Sequence, residues 1–147
     1  MTLKRGAAVL GVTALVALHA LTGAAQSEER YKVRLSTVPM DGGMRGTVAG
    51  NGSATAVLKG TLLTVTGTFD GLLSPATTAR VHRGPAMGVR GASIGELVVP
   101  TKAPKGTISG SITLSPEHVR ALQAGQLYIQ ISSEKAPEGN LWGWFVR

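Results

Sequence analysis

From Tyr31 the chain alternates apolar and polar positions. Tyr31, Val33 and Leu35 fall on one side, with Lys32, Arg34 and Ser36 on the other. A period of two predicts a strand with one wet face. The clearest alternation sets Leu63, Val65, Gly67 and Phe69 against Thr64, Thr66 and Thr68. A threonine ladder on the wet side is the pattern of a half-buried antiparallel strand. Residues 53–58, 77–82 (Ala79 and Val81 inward), 94–99 and 107–114 predict further strands, as do Leu127, Ile129 and Ile131. The last strand is expected over 141–146, after a Gly139-Asn140 turn. There Leu141, Gly143 and Phe145 face one way and Trp142, Trp144 and Val146 the other.

Between these runs, 39–46 reads as a loop and Lys59-Gly60 as a turn. Gly84-Pro85 ends a strand. Gly88, Gly91 and Gly95 make 83–95 a surface loop, and 100–106 is a basic loop. One short helix is expected. Ser115 is a good N-cap, Pro116 suits the first helical position, Glu117 favours the first turn and Gly125 ends it. Val119 and Leu122 give it an apolar edge. Seven or eight short, evenly spaced strands with one helical turn predict an all-β antiparallel Greek-key β-sandwich or barrel. No internal repeat stands out.

The first 25 residues do not fit that pattern. Lys4 and Arg5 precede the apolar run 7–21, broken only by Thr13 and His19, and 22–25 (TGAA) supplies small residues. This is a three-part secretory signal, and its apolar run is shorter than the ~20 residues of a spanning helix. The expected organisation is a signal peptide over 1–25, a polar spacer over 26–30 and one domain over 31–147. Cleavage is expected after Ala24 or Ala25, leaving a periplasmic or extracellular protein with no stable membrane span. The chain has no cysteine, so neither a disulfide nor a lipidated cysteine anchor is available.

Lys4 and Arg5 stand in the leader, so the remainder carries 13 basic against 8 acidic residues, a net of +5. The first meaning of that charge is a solvated surface. The second is attraction to an envelope polyanion or an acidic partner. The basic residues are dispersed and no aromatic platform is interleaved with them, which speaks against nucleic acid.

Candidate chemistry is sparse. Gly91-Ala92-Ser93-Ile94-Gly95 matches the spacing of a nucleophile elbow, but a glycine-rich loop precedes it and a strand follows, the wrong context. Beyond the leader stand two histidines, His82 and His118. His82 sits between Arg80 and Arg83, which disfavours a metal, and a three-ligand zinc site would need a carboxylate. The acids form no close pair of the glycosidase kind. Asn51-Gly52-Ser53 is a formal glycosylation sequon that reads first as a turn. Trp142 and Trp144 share one strand face. Core packing is the first reading of that face and an exposed platform the second. The candidate binding surface is Arg80, His82, Arg83 and Arg90, with Trp142 and Trp144. No catalytic residue, cofactor or metal is expected.

The runs 63–69 (LTVTGTF), 73–76 (LSPA), 79–86 (ARVHRGPA), 88–91 (GVRG), 106–111 (GTISGS), 114–116 (LSP), 124–129 (AGQLYI) and 137–143 (PEGNLWG) stand in family order. From about Gly52 to Gly143 the chain resembles the CHRD domain, named for its occurrence in chordin. The resemblance implies an immunoglobulin-like or superoxide-dismutase-like β-sandwich used outside the cell. In chordin such domains accompany modules that bind growth factors, and bacterial single-domain members are exported. The family carries no established enzymatic activity. Members often show His-x-His-Gly-Pro, similar to the copper-ligand strand of Cu/Zn superoxide dismutase, and another histidine in the Leu-Tyr strand. Here Arg80 and Ser132 stand at those places, Arg83 is inserted before Gly84-Pro85, and Asn140 and Trp142 replace an acidic and a basic residue. The resemblance thus implies a non-enzymatic binding or structural module of the cell envelope or extracellular space, whose partner is a protein or a polyanion. The rivals are a superoxide-dismutase-type metalloenzyme and a protein that binds polyanions by net charge alone.

Overall fold

The computed structural model describes residues 25–147. The expected leader lies outside them, apart from Ala25. Eight strands and one helix follow in the order β1 (Glu28–Thr37), β2 (Asn51–Lys59), β3 (Leu62–Asp70), β4 (Ala76–Arg83), β5 (Ala92–Leu97), β6 (Gly106–Thr113), α1 (Pro116–Gln123), β7 (Leu127–Ser133) and β8 (Ala136–Trp144). All strand pairs are antiparallel, in the order β5-β4-β7-β8-β1-β2-β3-β6. The two ends of that order meet where Val98 and Ser109 exchange backbone bonds of 2.7 and 3.1 Å, so the sheet is a nearly closed barrel. One half is β1-β2-β3-β6 and the other is β5-β4-β7-β8. They join at the β5/β6 bridge and at a short β1/β8 seam of Ser36↔Trp142 and Thr37↔Leu141. The chain crosses between halves after β3, β5 and β6, and β6 returns beside β3, which is the Greek-key pattern. The expected all-β sandwich or barrel with one short helix is the observed fold.

Alternation decides which face is buried. Tyr31, Val33 and Leu35 of β1, Leu63, Val65 and Phe69 of β3, and Leu127, Ile129 and Ile131 of β7 are buried in one core with Leu141 and Phe145. Each such side chain removed from water contributes roughly 1.5–3 kcal/mol. The helix closes one end of the barrel with Ala121 and Leu122. Its N-cap forms as expected, with the Ser115 hydroxyl accepting from the His118 amide at 3.1 Å.

Three boundaries differ from the sequence reading. β1 starts at Glu28, inside the segment read as a spacer, because Glu28, Glu29 and Arg30 pair with Lys59, Leu58 and Val57. Gly95 is not in a loop but in β5, where a Cβ would lie 2.6 Å from Ile112 Cδ1. It is a packing glycine, and the loop ends at Gly91. β8 starts at Ala136, so Gly139 and Asn140 lie within a strand rather than in a turn before it. The real turn is Glu134-Lys135, which lacks turn residues. Its two amides are instead satisfied by Pro75 O at 3.0 Å and Ser74 Oγ at 2.9 Å. Asn140 is fully buried. It accepts from Ser133 Oγ at 2.9 Å and donates to Ala49 O at 2.7 Å.

Candidate surface on the outer face of β4, β7 and β8

The buried parity of β8 belongs to Leu141, Gly143 and Phe145, so the tryptophans stand outside the main core, while Trp142 packs against a smaller cluster of Val38, Val48 and Ala136. Trp142 and Trp144 point outward and are half-buried. The inner side has no room for them, since even a Cβ on Gly143 would stand 2.4 Å from Arg34 O. On the outer side they meet Tyr128 from β7, whose ring is 4.5 Å from Trp144 and 5.7 Å from Trp142. Strand register sets His82 of β4 opposite Tyr128, and the two rings stack at 5.0 Å with 14° between planes. Edge-to-face and stacked pairs of this kind add to the plain burial of the rings.

This aromatic layer pins the loop between β4 and β5. The Gly91 amide donates to the Tyr128 hydroxyl at 3.0 Å, which donates back to Gly91 O at 3.3 Å. His82 Nδ1 lies 3.0 Å from the same carbonyl. A carbonyl only accepts, so Nδ1 carries the proton and donates. Burial beneath the loop holds the His82 imidazole below its ordinary value. The bond to Gly91 opposes that shift, and Arg80 and Arg90 add to it. At Gly91 a Cβ would lie 1.7 Å from Arg83 O, so only glycine permits this approach. The loop is thereby fixed with Met87 (54% exposed) and Val89 (48% exposed) at its tip. Arg90 reaches back, donating to Glu138 O at 2.9 Å with its guanidinium 5.9 Å from the Trp142 ring centroid.

Of the six residues expected to form a surface, four come together: His82, Arg90, Trp142 and Trp144. Arg80 shares the outer face of β4 but pairs with Glu96 of β5 at 3.1 Å. Arg83 leaves the group and pairs with Glu117 in the first turn of α1. Tyr128, the hub of the layer, was missed. Its signal was the even position between Leu127 and Ile129, which sets it on the outer face of β7, where it is buried to 1% exposure. Met87 and Val89 were also missed, because an apolar residue in a glycine-rich loop carries no periodicity.

At the places where the resemblance would set copper-ligating histidines stand a guanidinium tied to Glu96, a serine paired with Thr78, and one imidazole already spent on Gly91. That donor set does not fit a copper or zinc centre. Among the described residues no three His, Cys, Asp or Glu side chains are grouped for a metal, and no helix is long and apolar enough to cross a membrane.

Comparison with protein families gives a match of residues 21–144 to the CHRD domain. The match takes in β1 and all of β8, so it extends N-terminally well beyond the motifs that begin near Gly52. Neither the curated proteins nor the solved structures give a match.

Proposed function

The chain belongs to the CHRD domain family, and from that premise we propose that it is a non-enzymatic binding module working outside the cytoplasm, holding a protein partner on the outer face of β4, β7 and β8. The observation that carries this reading is the half-buried pair Trp142 and Trp144, set beside a pinned loop whose tip exposes Met87 and Val89. Aromatic residues, Met and Arg are the residues that concentrate binding energy at protein interfaces. A loop already fixed in one conformation loses little entropy on docking. Work outside the cytoplasm is supported by the leader, with Lys4 and Arg5 before the apolar run 7–21.

The test is crosslinking of the tagged protein in its native envelope, followed by mass spectrometry of what co-purifies. The same is done for the loop-tip variant Met87→Ser, Val89→Ser, whose changed side chains are exposed. One partner recovered in high salt by the wild type and lost by the variant is the expected result. Identical recovery by both, or recovery of nothing, contradicts the reading. Mass spectrometry of the mature protein checks export, with an N-terminus at Ala25 or Gln26 expected.

A further inference from the structure

Four strands away around the barrel from β7 stands β3, and the face built on it has a different chemistry. We propose that the outer face of β1, β2, β3 and β6 is a second binding site, which takes an anionic glycan chain. Register aligns its outward side chains into rows. One row runs Arg34, Ser53, Thr68, Thr107 and the next Lys32, Thr55, Thr66, Ser109. All eight side chains belong to exposed residues. Neighbours within a row lie about 4.8 Å apart and successive rows about 6.7 Å.

Each row thus starts at a cation and continues as three hydroxyls. Neither Lys32 nor Arg34 forms an ion pair among the described residues, and neither row contains a carboxylate. The acids of this face, Glu28 and Asp70, stand at its two ends. Glu28 pairs there with Arg30 and Lys59, and Asp70 accepts from the Gly71 amide at 2.6 Å. The surface is concave over the hydroxyls. A hollow of about 470 Å³ lies between β2, β3 and β6 and adjoins one of about 680 Å³ whose wall includes both Lys105 and Asp70.

Hydroxyls give and accept hydrogen bonds with other hydroxyls, and unpaired cations attract carboxylate or sulfate. Rows of hydroxyls in a shallow hollow, with Lys32 and Arg34 outside it on the β1 side, match a polymer that repeats hydroxyl and acid groups. The two rows hold no aromatic ring for stacking bases and no large apolar side chain for entering a bilayer or anchoring a protein.

Polygalacturonate, with neutral dextran as control, tests this by affinity electrophoresis at 20–200 mM salt, about the range over which the Debye length falls below 10 Å. The protein is expected to retain polygalacturonate and ignore dextran. Lys32→Gln with Arg34→Gln should weaken retention at least tenfold and flatten its salt dependence by one to two counterions, on the order expected for two lost contacts. Arg120→Gln with Lys135→Gln, which removes the same charge from other surfaces, should weaken it less than twofold. Thr55→Val with Thr66→Val leaves charge and strand preference intact and should weaken it severalfold. Equal losses in the two charge variants, no retention of polygalacturonate, or tighter retention of duplex DNA or anionic vesicles would each overturn the proposal.

Discussion

At Gly91 the space for a side chain is already filled by the carbonyl of Arg83. Gly91→Ala is therefore expected to cost more than about 2 kcal/mol, the range of backbone-clash mutations, and to speed amide exchange across the 84–91 loop. Denaturant unfolding and hydrogen exchange measure the two effects. His82 makes the same contact sensitive to pH. Its folded form favours the neutral ring, whereas the unfolded ring has an ordinary value of 6.5. The stability it contributes is thus full above pH 6.5 and is lost as pH falls from there toward the lower folded value. Glu29 acts in a separate window. Bonds from Tyr31 and Arg147 hold its carboxyl below the ordinary 4.5, so its contribution is full above pH 4.5 and is lost only below that. The expected result is a lower unfolding midpoint at pH 5.5 than at pH 7.5, a difference that His82→Gln removes. Persistence of the full difference in His82→Gln would assign it to other groups. Asn140 is a purely structural counterpart. Asn140→Ala strands Ser133 Oγ and Ala49 O, at about 1–3 kcal/mol.

At the scale of elements, β8 separates stability from display. Phe145, just past its end, is 1% exposed in the core, and Phe145→Ala should cost ~3–5 kcal/mol. Trp142→Ala removes a half-exposed ring and should cost clearly less in the same urea titration. The reverse order would return the tryptophans to the core. Strand existence was legible because one face of each strand is apolar and the other carries Thr, Ser, Lys or Arg. In β8 both faces are apolar, and alternation alone cannot choose between them. Gly143 held the answer, since a residue pressed between Val33 and Arg34 must be inward, but only tertiary packing reveals that. The Glu134-Lys135 turn was illegible for a similar reason. Its amides are satisfied by Pro75 and Ser74, some sixty residues away in the chain, rather than by local turn chemistry. Gly95 misled because a glycine serving close packing looks in sequence like a glycine serving a turn.

At the scale of the molecule, the barrel order carries two outer faces that adjoin at the β8/β1 seam, one aromatic with an apolar loop tip and one hydroxylated with a cationic border. Parts of both were visible in the sequence: the Trp pair, His82 and Arg90 for the first, and the threonine ladder for the second. Their assembly was not, because it depends on β4 and β7 meeting at His82 and Tyr128, and on β6 pairing with β3 across 37 to 51 residues of chain.

The chain has two tryptophans, and both stand on the face proposed for the protein partner, so their emission reports on binding there. The decisive measurement is an iodide-quenching titration of the mature protein with the partner recovered by crosslinking. Binding through this face predicts a blue-shifted emission and a fall in quenching that saturates with the partner. Saturable binding with emission and quenching unchanged would place the partner elsewhere and contradict the account.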